Sequence, residues 1–268
     1  MINHKELSII IVNYNGAQYL EACMDSIKKC CKGIDYEIIM VDNNSSDNSL
    51  DIIKRKYAEE VCLIESKENL GFGKGNNLAV SNSNAKCLLL LNNDTILLDN
   101  LKPALDLLED ESIGAVGIKM LGKTKEYRPS TGHFPSPLRL LKLSWLTYKK
   151  EKFQKGERLY EVDWIEGSFL LTKRLLWDDF EGFDDRFFMY VEDVDLCKEI
   201  AEREKRRIYF PELKYIHFGG FNSQREHLLI KGHRMFVNKH FHGLYRKMCL
   251  WTLGINEAYK MKVKRING

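Results

Sequence analysis

The stretch Leu7-Ser8-Ile9-Ile10-Ile11-Val12-Asn13-Tyr14-Asn15-Gly16 sets a compact apolar run directly against a polar turn. The pattern recurs. Glu37–Val41 leads into Asp42-Asn43-Asn44-Ser45-Ser46-Asp47, and Val61–Glu65 leads into Asn69-Leu70-Gly71-Phe72-Gly73-Lys74-Gly75-Asn76-Asn77. Lys86–Leu91 leads into Asn92-Asn93-Asp94-Thr95, and Gly114–Ile118 is a fifth run. Unbroken apolar runs of this length fit strands buried on both faces. Between them apolar residues recur at helical spacing: Leu20, Cys23, Met24 and Ile27 in one set, then Leu50, Ile53 and Tyr57 behind a Ser46-Asp47 start. Repeated β-α-β units predict a doubly wound, mostly parallel sheet with helices on both faces. Ligands in such sheets bind beyond the carboxyl ends of the strands, so the residues after each run become the candidates.

The 268 residues suit one α/β domain over 1–243 with a basic, amphipathic helical extension over 244–268. A net charge of +3 gives no pointer to nucleic acid. The cysteines (Cys23, Cys30, Cys31, Cys62, Cys87, Cys197 and Cys249) are odd in number, form no Cys-x-x-Cys pair and sit largely in apolar stretches. That reads as a reducing compartment and excludes a disulfide framework. The first apolar run is too short for a signal-peptide core, and no run approaches the roughly 20 apolar residues of a spanning helix. The expectation is a cytoplasmic protein, at most peripheral on the inner face of a membrane. Residues 122–162 lose the alternation and hold Pro129, Pro135 and Pro137, which reads as an insertion or mobile loop. Order returns at Val162–Lys173. A helix is expected after Asp193, with Val194, Cys197, Ile200 and Ala201 on one face, and a strand at Arg207–Phe210.

Each polar turn has two readings. Asn13, Tyr14, Asn15 and Asp42 either cap the next helix or line a nucleoside pocket, where a carboxylate suits base or ribose donors. The glycines of 69–77 follow the third run and are spaced G-x-G-x-G, which excludes the dinucleotide fingerprint G-x-G-x-x-G after a first strand. They form a tight turn or let backbone approach a ligand at a helix start. Asn92 and Asp94, two apart in extended chain, can aim hard oxygens at one divalent cation, Mg2+ or Mn2+; Asp94 can equally cap a helix. Glu192, Asp193 and Asp195 crowd a helix start, where they complement its dipole or raise one another's pKa towards that of a general base. His217, followed by Phe218, Gly219 and Gly220, is a structural histidine or, beside Asp94, a metal ligand.

In order and spacing these pieces resemble the family 2 inverting glycosyltransferases of the GT-A fold, and within them a rhamnosyltransferase-like branch that builds bacterial surface polysaccharides. The resemblance runs over about residues 7–243 through Ile10–Asn15, Val41–Asp47, Asn69–Gly73, Leu91–Thr95, Gly167–Leu171 and Phe188–Cys197, and includes His217. It implies that Asn92-Asn93-Asp94 stands at the metal motif with Asp94 as the carboxylate ligand and Asn92 replacing an acid. It further implies that Asp193 is the base, His217 a metal ligand, and Asp42 part of the nucleoside loop. Asn69, Gly71, Gly73, Asn76 and Asn93 join the nucleotide set; Glu166, Gly167, Ser168 and Asp195 join the acceptor side, where Glu166 replaces a small residue. The implied donor is a nucleoside diphosphate-sugar, first dTDP-rhamnose and next a UDP-hexose or UDP-N-acetylhexosamine, and the implied acceptor is a saccharide or lipid-linked saccharide.

Two other classes compete. A nucleotidyltransferase wants a basic glycine-rich loop after the first strand, and Asn13-Tyr14-Asn15-Gly16-Ala17-Gln18 carries no Lys or Arg. A non-catalytic nucleotide-sugar-binding module would have no need of Asp193. In the tail Arg246, Lys247, Lys260, Lys262, Lys264 and Arg265 face a single acid, Glu257, around Met248-Cys249-Leu250-Trp251. With the basic-apolar run Leu138–Trp145, this segment either lies on an anionic membrane, packs on the domain, or joins a homodimer.

Overall fold

The computed structural model describes residues 4–148, 159–219 and 225–267, with side chains through 261. Gly220, residues 149–158, and the side chains of Lys262, Lys264 and Arg265 lie outside the described residues. The first four runs form β1 (Lys5–Asn13), β2 (Tyr36–Asp42), β3 (Val61–Glu65) and β4 (Ala85–Leu91). Helices α1 (Ala17–Cys30), α2 (Ser49–Lys56) and α3 (Gly71–Ser81) return the chain between them. β5 (Thr95–Leu97), α4 (Lys102–Asp106) and β6 (Ile113–Leu121) follow. Next come β7 (Thr131–Gly132), α5 (Pro137–Leu140), β8 (Tyr160–Glu161), β9 (Trp164–Ile165), β10 (Phe169–Lys173) and α6 (Arg174–Asp179). The chain closes with α7 (Glu192–Glu202), β11 (Arg206–His217), α8 (Arg225–His240) and α9 (Gly243–Asn267).

The main sheet runs β3-β2-β1-β4-β10-β6-β11-β5, with β8 beside β11. β1 to β4 are mutually parallel, β6 is parallel to β11, and β10 and β5 run against their neighbours. Alternate residues of one strand serve opposite faces. Ile9 and Ile11 of β1 pack with α1, α2 and α4, whereas Ile10 joins Ala79 and Val80 of α3 with Leu196 and Cys197 of α7 on the other face. Burial on both faces is why these strands read as unbroken apolar runs. The described cysteines carry no disulfide.

Three expectations need correction. Asp94 caps no helix: the chain turns there into the short strand β5. β11 does not stop at Phe210. Pro211 has no N–H to give the ladder, the register with β6 shifts between Phe210 and Lys214, and pairing then resumes through Ile216. The described part of 122–162 is packed chain and not a free loop. Leu140 and Leu146 are buried, His133 donates to the Leu146 carbonyl, and the Phe134 amide donates to Asp163.

Candidate active site

The turns after β1 and β2 form one buried knot. Asn13 Nδ2 donates to Asp42 Oδ1 at 2.7 Å and to Ser49 Oγ at 2.9 Å, while the Ser45 amide donates to Asp42 Oδ2 at 3.1 Å. Asn93 Nδ2 donates to Asn13 Oδ1 at 2.7 Å, which ties this knot to the turn after β4. The crossing leaves no room for a side chain at Gly16: a Cβ there would lie 1.9 Å from Asn93 Nδ2. Asn15, at positive φ, accepts from the Ser46 amide, and Asp47 accepts from Ala17 and Ser49 at the starts of α1 and α2. Each Asp42 oxygen thus accepts one hydrogen bond that shapes the loops, with a second lone pair left on each. Tyr14 stands half-exposed on the rim.

The glycine segment is clasped from the same side. Asn43 donates to Asn69 Oδ1 and to the Gly71 carbonyl, and the Leu70 amide donates back to Asn43. Gly71 has φ +80, and a Cβ there would meet the Phe188 carbonyl at 2.2 Å, so glycine is dictated twice over. A Cβ on Gly73 would touch Phe183 and the Phe187 carbonyl at 3.4 Å. The glycines thus bring α3 against 183–188. Asn76 is buried and donates to the Phe72 carbonyl, so its amide serves its own helix.

The third cluster forms through sheet register. β5 pairs antiparallel with β11, with Thr95 opposite His217. That pairing sets His217 Nε2 3.2 Å from Asp94 Oδ1 and 3.3 Å from the Asn92 side-chain amide. Glu166 Oε1 lies 3.5 Å from the other ring nitrogen, Nδ1. Burial pulls the imidazole towards neutrality, but hydrogen bonds and charge from Asp94 and Glu166 outweigh it and lift its pKa to about 9. The negative field that does this is also the field that favours a divalent cation at the same point. The donor set fits such an ion. Asp94 and Asn92 offer oxygens once the Asn92 amide turns, and Glu166 on Nδ1 would hold the ring with Nε2 free to ligate.

The turn Glu166-Gly167-Ser168 joins this cluster to the acids of α7. Glu166 reaches His217, while the Gly167 amide donates to Asp193 Oδ2 at 3.0 Å; Asp193 Oδ1 accepts from the Val194 amide at 2.8 Å. Ser168 Oγ bonds Glu166 at 3.1 Å and the buried Tyr215 hydroxyl at 2.8 Å. Burial raises the Asp193 carboxyl above the usual range against those two amides, and the charge of Glu166 adds to the rise. Burial also raises Glu192, and Asp193 raises it further; Glu192 Oε2 is buried without a hydrogen-bond partner. Asp195 points elsewhere: Lys239 Nζ and His240 Nε2 of α8 hold its two oxygens at 2.7 Å each.

The structure thus gathers Asn13, Asn15, Asp42, Asn69, Gly71, Gly73 and Asn93 along one wall, with Asn92, Asp94, His217, Glu166, Gly167, Ser168 and Asp193 continuing it. Asn76 and Asp195 serve packing. Gly16, Asn43, Ser45 and Ser49 belong to the wall and were absent from the expected set. Their signal was the density of short amides and hydroxyls over 42–49, which no single spacing rule picks out. A cavity of about 960 Å³ lies at the amino ends of β1 and β4 and the carboxyl end of β10, beside Glu6, Ala85 and Lys173, at the opposite edge of the sheet from these groups.

The model of glycosyl transferase family 2 matches residues 8–178. The chain belongs to that family. An N-acetylglucosaminyl-diphospho-decaprenol L-rhamnosyltransferase of Mycobacterium tuberculosis is 25% identical over 279 residues, covering 92% of this chain and 89% of the relative. Rhamnosyltransferase WbbL of Escherichia coli is 26% identical over 257 residues, covering 90% and 94%. Among solved structures, a mannosyltransferase from Pyrobaculum calidifontis in complex with GDP-Man and Mn2+ superposes with a TM-score of 0.64 at 17% identity, covering 96% of this chain and 74% of that one. At that identity the likeness speaks for the fold, and the fold is GT-A.

Proposed function

We propose that this family 2 glycosyltransferase moves a sugar, first choice rhamnose from dTDP-rhamnose, onto a hydroxyl of a saccharide carried on a lipid diphosphate, with inversion. The observation that carries the reading is the Glu166–Ser168 turn, which couples a base-like carboxylate, Asp193, to the Asn92-Asp94-His217 donor set. The rhamnosyl choice is supported by the two rhamnosyltransferases that align over about nine tenths of the chain. UDP-hexose or UDP-N-acetylhexosamine is the next donor to try. Unpaired cysteines support a reducing, cytoplasmic setting.

The donor would lie across the strand ends, its nucleoside against the Asn13–Asp42 knot and the clasped 69–73 turn. Asp94, His217 and Asn92 would hold a divalent cation, which when bound offsets charge on the departing diphosphate. Asp193 takes the proton from the acceptor hydroxyl as its oxygen attacks the anomeric carbon on the face opposite the diphosphate. Its raised pKa strengthens it as a base, and the Gly167 and Val194 amides hold it in one orientation. Asp193→Asn should keep nucleotide-sugar affinity, read by calorimetry, while transfer falls by roughly 10²–10⁴. Wild-type turnover in that variant, assayed over a panel of nucleotide-sugars with and without chelator, would overturn the assignment. A non-catalytic binding module would show no transfer from any donor.

A further inference from the structure

Helix α9 has two apolar faces, and the domain covers one of them. Cys249 and Leu253 enter the core cluster beneath α5 and α8, and Asn256 Nδ2 donates to the Leu141 carbonyl at 2.7 Å. Opposite them Leu244, Met248, Trp251, Ile255 and Tyr259 recur at spacings of four, three, four and four, which is one face of a helix. All five are exposed, with Leu244, Trp251 and Tyr259 at 73%, 68% and 69%. A helix that only packed on its domain would turn charge, not Trp and Leu, towards water.

Cations rim the stripe. Arg246 and Lys247 are exposed near its amino end, and the exposed Lys142 lies on the segment packed against α9. The sequence adds Lys262, Lys264 and Arg265 at the other end, while Lys260 turns back to the domain and pairs with Glu226 of α8 at 3.1 Å. The single acid, Glu257, is held by Arg234 at 2.7 Å, which keeps it from cancelling this charge locally. Leu138 and Trp145, on the segment around α5, are exposed as well. No helix among the described residues is long and apolar enough to cross a membrane.

We infer that the outward face of α9 docks flat on an anionic lipid surface, its apolar stripe among the acyl chains and its Lys and Arg side chains at the headgroups. Basic flanks around a Trp- and Leu-bearing face are the pattern of a helix lying in the interface plane. The charge pattern also selects against a second copy as the occupant. An antiparallel pair of stripes would set the Arg246–Lys247 end against the Lys262–Arg265 end, and a parallel pair would set each basic end against itself. The inference goes beyond sugar transfer and does not rest on it, since docking is read without donor or acceptor.

The test is flotation of the full chain with vesicles of phosphatidylcholine alone, or with about a third phosphatidylglycerol. The expected result is flotation with the anionic vesicles only, reversed by high salt. Trp251→Ser with Ile255→Ser, both surface positions, should cut vesicle partitioning by about ten-fold or more while circular dichroism stays unchanged. Equal flotation of that variant would overturn the assignment of the stripe. Absence of flotation on either vesicle, with a concentration-dependent dimer in sedimentation that the double variant abolishes, would hand the stripe to a second copy. Sugar transfer to a soluble acceptor should survive the double substitution, which separates this outcome from failure of the transferase reading.

Discussion

Asp195 stands two residues from the proposed base, yet its geometry assigns it to anchoring. Both oxygens are taken by α8, from Lys239 Nζ and His240 Nε2, and the side chain is almost wholly buried. Replacing Asp195 with Ala removes one partner of a buried, hydrogen-bonded pair, a change that costs ~3–5 kcal/mol when the remaining charge is left alone. Lys239 is not left alone: Asp184 lies at 3.3 Å and Glu199 at 3.1 Å, and its side chain is 23% exposed. The expected loss is therefore lower, about 2–3 kcal/mol. For a domain of this size that corresponds to a fall in Tm of about 5–10 °C. Asp195→Asn, which keeps an acceptor for Lys239, should lose about half as much. Thermal unfolding followed by circular dichroism measures the loss, and acceptor KM well below the transition measures any binding role. An unchanged Tm with acceptor KM raised several-fold would refute the anchoring role and return Asp195 to the acceptor site.

Two further outcomes follow from close contacts. Gly16→Ala forces Asn93 off Asn13, because the new Cβ would fall 1.9 Å from one and 2.5 Å from the other. Stability should drop by about 1–3 kcal/mol and nucleoside diphosphate affinity should weaken with it, so a variant unchanged in both would break the link between the knot and the donor. His233 is buried with Nδ1 unpartnered, and burial, assisted by the Lys260 charge, pulls its pKa down to about 4. Between that value and the unfolded 6.5 the unfolded chain binds the extra proton, so stability is full above pH 6.5 and is lost as pH falls towards 4. The loss attributable to this group is roughly 3 kcal/mol. Urea unfolding across that window should show a flatter profile for His233→Leu, and an equal slope in both proteins would refute it.

The core of the fold was legible because parallel strands buried on both faces must be apolar through their middles, as β1, β2 and β4 are, while β3 at the sheet edge is only partly buried. What escaped was set by pairing between distant segments. β5 is three residues long, too short to leave a period, and Pro211 hid the second half of β11. Those two pieces together put Asp94 beside His217, so the central contact of the site could be reached from sequence only through motif order. The knot of Asn13, Asp42, Ser45, Ser49 and Asn93 was half-read for a related reason. Side chains of that kind cap helices and bind ligands with the same atoms, and only the observed partners show that Asp42 also shapes the loops.

The placement of Asp193 depends on parts of the chain outside the family match, which ends at 178. Immediately before the acids, Tyr190 and Val191 have φ of +69 and +76. The β-branched Val191 is strained there, and non-glycine residues held at such angles cost of order 1–3 kcal/mol each. Neighbouring elements hold the bend. Phe72 donates its amide to the Phe188 carbonyl at 2.9 Å, and α8 passes so close at Gly232 that a Cβ would lie 2.8 Å from the Tyr190 carbonyl. Asp195, anchored to Lys239 and His240, fixes the first turn of α7 from the opposite side. Relaxing the bend would swing Asp193 off the Gly167 amide and away from the turn that reaches His217. The glycines at 71 and 232 thus hold the proposed base although neither carries a side chain: each permits a backbone approach that keeps a strained turn, and with it Asp193, in place.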